Sequence, residues 1–288
     1  MMKQHDRSRD GFGWVLAVGL TMGTVGQGLA QDKGAEKPAV TMPDIVVAPM
    51  RTATDVNSVP FMTYKIGEES ASLTRGTPEA FDDIPSVMVQ KTSFGQGSPF
   101  MRGFTGFRTL FMIDGIRLNN STFRDGPNQY WNTVDPLSVQ SYEVMMGPAS
   151  VLYGSDAIGG AVNADPVAPP KEGTDTRLYY RGSTAERSNI GRVQAGAALG
   201  QGVSVVAGVS VKDFGDLEGG KDVGRQKHTG YQEQDGDVRL DWQISKDSSL
   251  TVAHQSVNQD DVWRTHKTIY GIDWEGLSVG DEKKRTLD

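Results

Sequence analysis

Two loop segments carry the side chains best suited to binding a ligand. The segments Phe94–Pro99 and Asn119–Trp131 are rich in glycine, asparagine and aromatic residues. Their aromatic rings can stack on a ligand, and the guanidinium of Arg124 supplies one positive charge for an anionic ligand. Ordinary loop packing is the alternative role for the same residues. The candidate ligand contacts are Phe94, Gln96, Phe123, Arg124, Tyr130 and Trp131.

Covalent chemistry has no support in the sequence. The chain has no cysteine, which excludes a thiolate metal site and a cysteine nucleophile. Its four histidines form no His-x-x-x-His pair, and no Gly-x-Ser-x-Gly or phosphate-loop motif occurs. Asp235–Asp237 and Asp260–Asp261 lack the spacing of a calcium loop. A net charge of −7 argues against nucleic acid as a partner. We therefore expect a non-enzymatic protein with no catalytic residues, no metal site and no resident cofactor.

The first 30 residues have the three parts of a secretory signal peptide. Lys3, Arg7 and Arg9 precede an apolar stretch over Trp14–Leu20. Gly28-Leu29-Ala30 then places small residues before a cleavage point. We expect residues 1–30 to direct export and to be removed.

The remaining sequence falls into three parts of different character. Residues 31–53 are polar and contain proline, which predicts a flexible lead. Residues 54–167 mix short strand-like and helix-like runs and end in a proline-rich linker. From 168 to 288, apolar and polar residues alternate over segments of about 8–10 residues, a pattern typical of strands with one apolar face. Such strands fit a soluble sandwich or a membrane barrel, and the alternation alone does not separate the two.

Several ordered motifs between residues 44 and 163 resemble those of the TonB-dependent outer-membrane receptors. Two of them are similar to that family's Ile-Arg-Gly motif and its Leu-Ile-Asp-Gly-Val-Arg-x-Asn strand, and the others resemble the most recognisable stretch of its plug domain. Met146 departs from the pattern, because the family usually has arginine before Gly-Pro. The matching segments are Met101–Gly103, Phe111–Asn119, Asp135–Pro136, Tyr142–Val144 and Gly147–Asn163.

The resemblance implies a fold and a location. The fold is an α+β plug domain over 54–167, followed by the start of an antiparallel transmembrane β-barrel over 168–288. The location is the outer membrane of a Gram-negative bacterium, where lipid surrounds the barrel. The implied activity is energised import of a scarce chelate that contains iron, haem or cobalamin, with the two candidate loops facing outward.

The resemblance also implies a partner and two kinds of contact. Residues 44–48 resemble the TonB box, which can add as a strand to a sheet edge of TonB in the TonB–ExbB–ExbD complex. Arg102 is expected to be a buried charge that pairs across the plug–barrel boundary, because an unpaired buried charge is costly. The TonB-binding residues are Asp44, Ile45, Val46, Val47 and Ala48.

The segment predicted to form barrel strands is short for a complete barrel. Residues 168–288 suffice for only about six strands of a barrel that has about 22 in this family. We therefore expect an N-terminal fragment of a longer receptor. Two alternatives stay open: a soluble periplasmic β-rich binding protein, and a passive porin or adhesin that needs no TonB-binding segment.

Overall fold

The computed structural model describes residues 45–46, 54–55, 60–93, 95–118, 126–127, 130–219, 224–226 and 229–262. Strands dominate this part of the chain, with two short α-helices, α1 (Glu68–Ser72) and α2 (Ser150–Tyr153). No helix among the described residues is long and apolar enough to cross a bilayer. The 3₁₀ helices are Thr77–Phe81, Gly106–Arg108, Tyr130–Thr133 and Pro136–Ser138. The strands are β1 (Ile45–Val46), β2 (Thr54–Asp55), β3 (Met62–Gly67), β4 (Val87–Ser93), β5 (Gln96–Met101), β6 (Thr109–Ile113), β7 (Ile116–Arg117), β8 (Val139–Met146), β9 (Gly160–Pro166), β10 (Thr174–Ser183), β11 (Ser188–Gly200), β12 (Val203–Phe214), β13 (Leu217–Gly219), β14 (Gly224–Gln226), β15 (Tyr231–Gln243) and β16 (Ser249–Asp260).

One five-stranded sheet, the plug sheet, has the order β3-β8-β9-β6-β7. Its only parallel pair in the described chain is β6 with β9, and the other neighbours are antiparallel. β4 and β5 form a separate two-stranded sheet. The mixed run predicted for residues 54–167 is therefore one α+β unit built on this sheet.

Aromatic residues fill the core of this unit. Phe111 stacks on Trp131 with ring centroids 4.3 Å apart, and Phe81 meets Trp131 and Tyr142 edge to face at 5.8 and 5.3 Å. The Tyr142 hydroxyl lies 2.9 Å from Thr77 Oγ1, so it is satisfied although fully buried. Burial raises the pKa of Tyr142. The plug unit thus has a conventional apolar core of its own.

A second sheet, the wall sheet, contains β10, β11, β12, β15 and β16 in antiparallel order. Its strands are 10–13 residues long, and the short hairpin of β13 and β14 extends between β12 and β15. β10 begins eight residues after β9 ends, beyond the proline-rich linker. The alternation seen in the sequence is thus that of a continuous antiparallel sheet.

The two faces of the wall sheet are opposite to those of a soluble sheet. Most of its large apolar side chains point to the surface, with Leu178 80% exposed and Val209 60% exposed, whereas Ile190, Phe214 and Tyr231 are buried with Leu137 of the plug unit. Its polar side chains are covered by the plug unit, and Lys212 is only 2% exposed. Alternation alone left the direction of the apolar face open, and the structure settles it as outward. The other large apolar side chains exposed on these strands are Tyr180, Val193, Leu199, Val211, Val238, Trp242, Leu250 and Val252.

Candidate functional site

The plug unit and the wall sheet meet at a buried carboxylate, Asp135. It caps the 3₁₀ helix Pro136–Ser138, where its Oδ1 accepts a hydrogen bond from the Leu137 N–H at 3.0 Å. Proline at the first position fits a helix start, since the missing N–H would have no partner there. The Asp-Pro pair thus fixes a short helix that holds the carboxylate, 1% exposed, against the wall.

Lys212, on β12, is the main partner of Asp135. Its Nζ lies 2.8 Å from Asp135 Oδ1 and 2.9 Å from Asp235 Oδ2, and it also pairs with Glu233. The oxygens of the three carboxylates lie within 4.8 Å of one another, as metal ligands would. The ammonium group of Lys212 lies among them, so the cation at this point is the protein's own.

Arg192, on β11, binds the other side of the same carboxylate. Its Nη1 lies 3.5 Å from Asp135 Oδ2 and 2.8 Å from Asp237 Oδ1. Ser210 Oγ donates to Asp135 Oδ2 at 2.6 Å. The guanidinium packs on Gly208, where a Cβ would lie 2.1 Å from Arg192 Nη2. A residue without a side chain is therefore needed beneath Arg192.

The charges of this site are unequal in number. We call Asp135, Arg192, Lys212, Glu233, Asp235 and Asp237 the anchor cluster. It contains four carboxylates and two cations, and only one of the six residues, Asp135, comes from the plug unit. Burial would raise the pKa of Asp135, but the charge of Lys212 and hydrogen bonds from Lys212, Ser210 and Leu137 hold it below its usual value. Asp135 is therefore ionised at neutral pH.

More exposed contacts surround the anchor cluster. Arg239 Nη1 of β15 lies 3.1 Å from Asp114 Oδ2, and Arg177 Nη1 of β10 lies 2.6 Å from Glu68 Oε1. Tyr179 donates its hydroxyl to the Ser72 carbonyl at 2.9 Å. Ion pairs open to solvent contribute about 0–1 kcal/mol each, so the buried cluster dominates the electrostatics of this contact.

The Asp114-Gly115 turn has the structure that its sequence predicts. Both residues have positive φ, 51° and 75°, and they join β6 to β7 in a two-residue hairpin. Asn163 Oδ1 accepts from the Gly115 N–H at 2.8 Å and so ties the turn to β9. What the sequence did not indicate is the ion pair of Asp114 with the wall.

A carboxylate with a shifted pKa lies beside this turn. Asp165 accepts hydrogen bonds from Ser141 Oγ at 3.1 Å and Asn163 Nδ2 at 2.5 Å. Burial and the neighbouring charge of Glu143 raise the pKa of Asp165 to about 6. The plug unit therefore contains one carboxyl group that titrates near the lower end of the physiological pH range.

Arg102, the predicted contact across the plug–barrel boundary, lies in an exposed turn of the described structure. Its side chain is exposed, and its Nη2 contacts Met62 Sδ at 3.5 Å, without a carboxylate partner among the described residues. Arg102 and Gly103 have φ of 52° and 83° and form the turn between Met101 and Phe104, which are joined by two backbone hydrogen bonds. A tight turn of this kind protrudes from the unit, so its side chain points to solvent. Among the described residues, Asp135 is the buried charge of the plug unit that contacts the wall.

The ligand candidates are placed differently from one another. Gln96 and Tyr130 are half-buried, at the start of β5 and of the 3₁₀ helix Tyr130–Thr133. The expectation that Trp131 offers a free ring is wrong, because it is fully buried against Phe111 in the plug core. Trp131 is buried in the core because a large aromatic side chain removes extensive apolar surface from water when it packs there. Phe94, Phe123 and Arg124 lie outside the described residues.

Two of the five TonB-binding candidates lie in a strand. Ile45 and Val46 form β1, which pairs antiparallel with β2, so that Ile45 is opposite Asp55 and Val46 is opposite Thr54. Asp44, Val47 and Ala48 lie outside the described residues, as does the signal peptide predicted for 1–30. The extended conformation of β1 is the one that strand addition needs.

Known proteins match this arrangement. A family model described as the TonB-dependent receptor plug domain matches residues 56–161. The vitamin B12 transporter BtuB of Vibrio vulnificus is 30% identical over 139 residues, which cover 45% of this chain and 22% of that protein. The iron-regulated outer membrane virulence protein of Vibrio cholerae is 31% identical over 155 residues, or 51% of this chain and 23% of that protein. The chain thus spans less than a quarter of the length of these curated relatives.

A solved structure extends the similarity beyond the plug unit. The pyoverdine outer membrane receptor FpvA of Pseudomonas aeruginosa PAO1, bound to pyoverdine, superposes with a TM-score of 0.61 at 14% identity. The match covers 75% of this chain and 30% of FpvA, so it reaches beyond the 106 positions of the plug match. At this identity it shows the fold alone. Residues 56–161 are thus a TonB-dependent receptor plug domain, and the chain is related to the TonB-dependent outer-membrane receptors.

Proposed function

We propose that this protein is an outer-membrane transporter that takes up a scarce metal chelate with energy delivered through TonB. The plug unit closes the lumen of a barrel of about 22 strands, of which the wall sheet supplies the first. The observation that carries this proposal is the orientation of the wall sheet. Its apolar side chains face outward, and its charged side chains face the plug unit.

The orientation follows from the two solvents that such a wall separates. Lipid favours the outward-facing valine and leucine side chains, while a lumen filled by a polar plug can satisfy Lys212 and Arg192. A soluble β-rich binding protein would bury the apolar side chains of the same strands in a core. Among the described residues these side chains lie on the surface, which disfavours that alternative.

The segment 44–48 is the proposed TonB-binding strand. Ile45 and Val46 already form backbone hydrogen bonds with a neighbouring segment, as β1 does with β2. Strand addition gives affinity through main-chain hydrogen bonds, which residues of this extended conformation can offer to TonB of the TonB–ExbB–ExbD complex. Pro43 and Pro49 limit the length of the strand, because proline lacks the N–H that a ladder requires.

The substrate class is a metal chelate. One relative is named a vitamin B12 transporter, a second is named as iron-regulated, and the FpvA structure contains pyoverdine. A ferric siderophore, haem and cobalamin are the candidates. The metal is cargo in each case, and we assign no resident cofactor and no catalytic residue. The half-buried Gln96 and Tyr130, together with Phe94, Phe123 and Arg124, remain the proposed contacts on the plug.

The test is uptake of radiolabelled cobalamin, ferric pyoverdine and haemin by cells that make the whole protein. Ile45→Pro should abolish uptake of the transported probe and leave its binding to the cells intact, because it removes a strand donor. Ala39→Pro, next to Pro38 in the same lead, is the matched control and should transport normally. Unchanged uptake in Ile45→Pro, or in a protein lacking 44–48, would favour the passive porin or adhesin.

A further inference from the structure

We propose that Glu233 and Asp235 make the plug releasable, by neutralising Lys212 on the wall so that Asp135 can leave it and return. This inference rests on the proposed function, since an energised transporter has to move its plug and restore it. It assigns the two wall carboxylates a role opposite to that of Asp135. Asp135 holds the plug unit, and its wall neighbours limit how tightly it is held.

Asp135 and Lys212 differ in the contacts that each retains when their ion pair separates. Glu233 is directly opposite Lys212 in the β12–β15 register, and Asp235 is opposite Ser210, two positions along β12. Both carboxylates contact Lys212 within the wall itself. If Asp135 departs, Lys212 still contacts the carboxyl groups of Glu233 and Asp235. A buried cation is therefore not left unpaired, the situation that makes breaking most buried ion pairs so costly.

Asp135 loses more when it separates from the wall. It gives up Lys212, Arg192 and Ser210, and keeps only the N–H of Leu137 from its own helix. Its carboxylate must then be solvated. A cavity of about 420 Å³ adjoins this point and is lined by Leu137 and Arg192 with the charged side chains of Glu68 and Arg177. Open space with several charged side chains at its edge thus adjoins the anchor cluster, and water there can hydrate the freed charges.

The wall carboxylates also act directly on Asp135. Their oxygens lie within 4.8 Å of its own, a distance at which like charges repel appreciably in a buried site. Lys212 also interacts with both of these carboxyl groups, so its attraction for Asp135 is weaker than it would be without them. Neutralising Glu233 should therefore tighten the plug–wall contact, whereas neutralising Asp135 should loosen it. If the cluster only supported packing, both changes would loosen the contact.

The absence of cysteine allows a direct measurement on the whole protein in isolated outer membranes. Ser138→Cys places a thiol at the interface, where Ser138 is 4% exposed and its Oγ accepts from Gln255 Nε2 of the wall at 3.3 Å. Ser98→Cys places a second reporter inside the plug unit, where Ser98 is 2% exposed. Maleimide labelling at 138 reports separation of plug and wall, and labelling at 98 reports opening of the plug itself.

Asp135→Asn should speed labelling at position 138 by about tenfold or more, because it leaves buried cations without their plug partner. Glu233→Gln should slow it severalfold below the rate of the parent protein. Asp213→Asn is the matched control, since Asp213 lies beside Lys212 on β12 but is exposed on the outward face, where it accepts from Gln232 Nε2 at 3.4 Å, and its rate should not change. The rates at position 98 should stay the same in all three variants.

Labelling of Glu233→Gln at position 138 as fast as the parent, or faster, would overturn the proposal. Should Asp135→Asn fail to insert into the membrane, the Glu233→Gln result decides alone. The assay uses neither TonB nor a chelate. Failure of the uptake test would thus refute the transport function. The order of the labelling rates at position 138 would still test the role of the anchor cluster.

Discussion

The plug sheet and the wall sheet solve the problem of burial in opposite ways. The plug sheet places Phe111 and Tyr142 in a closed apolar core. The wall sheet leaves Val209 and Leu178 on the surface and buries Lys212 and Arg192. The first arrangement is stable by its own hydrophobic contacts, whereas the second needs lipid on one side and a polar partner on the other.

The wall sheet therefore depends on its contacts with the plug unit more than the plug sheet depends on its contacts with the wall. The plug unit meets the wall through hydrogen bonds and ion pairs and through one small apolar cluster, in which Leu137 packs with Ile190, Phe214 and Tyr231 of the wall. Polar contacts of this kind are geometrically specific, but in net terms they are weaker than apolar burial of the same extent. The contact between plug and wall therefore depends on the positions of a few charged groups as well as on this apolar cluster.

The largest effect should come from breaking the plug core. Phe111→Ala removes a fully buried ring that stacks on Trp131, and should lower the free energy of unfolding by about 3–5 kcal/mol. Ile116→Ala, at a neighbouring side chain that is 74% exposed, is the control, with an expected change within about 0.5 kcal/mol. Urea unfolding of the detergent-solubilised protein gives both values. Equal effects of the two changes would contradict the assignment of the core.

The next effect tests the outward face of the wall. Val209→Arg should destabilise the protein in bilayers by about 2–4 kcal/mol if the side chain faces the middle of the lipid. In a soluble protein, the same exposed position would tolerate arginine within about 0.5 kcal/mol. Ser248→Arg, at an exposed position in the turn between β15 and β16, should have little effect. Stability of the three proteins in vesicles, measured by urea unfolding, separates the two environments.

A smaller effect should follow at the anchor cluster. Gly208→Ala would bring a Cβ to 2.1 Å from Arg192 Nη2, so the guanidinium must move away from Asp135. We expect a loss of about 1–3 kcal/mol, as in other overpacked sites. Gly236→Ala, on the adjacent strand with open space around its Cα, should be neutral or slightly stabilising. A loss of stability in Gly236→Ala equal to that in Gly208→Ala would show that strand glycines matter here for another reason.

The smallest effect is the pH response of the plug unit. The pKa of Asp165 is raised from 3.8 to about 6 in the folded protein, so folding disfavours its charged form. Its contribution is therefore neutral below about pH 4 and becomes destabilising as pH rises to about 6, by roughly 1–2 kcal/mol after solvent screening. Asp165→Asn should remove this dependence and raise the apparent melting temperature at pH 7. A parent protein whose melting temperature does not fall between pH 4 and 6 relative to this variant would contradict it.

Much of the fold could be predicted from local pattern. The alternation around Val209 predicted the wall strands, and the Asp114-Gly115 pair predicted a tight turn, because both features depend on neighbouring residues only. The parallel pairing of β6 with β9 joins segments about 50 residues apart, so no local signal indicates it.

The candidate site was harder to predict because its residues meet only through the tertiary fold. Asp135 appeared in a motif, but its partner Lys212 lies 77 positions later on another sheet. The pairing of Arg102 across the plug–barrel boundary stays a prediction, because Arg102 lies in an exposed turn and contacts no carboxylate among the described residues. Alternation does show that Lys212 and Glu233 lie on the polar face of the wall strands. With the plug assumed to pack against that face, the sequence would have indicated both residues as candidate contacts of the plug.

The most direct test of the account is the environment of two adjacent wall residues. Single variants Val209→Cys and Ser210→Cys, each carrying a spin label in the whole protein in lipid vesicles, report the two faces of β12. We predict that the label at 209 collides with oxygen dissolved in the lipid and not with a water-soluble nickel reagent, and that the label at 210 is immobile and shielded from both. A label at 209 that is open to the nickel reagent and closed to oxygen would contradict the central claim that this face meets lipid.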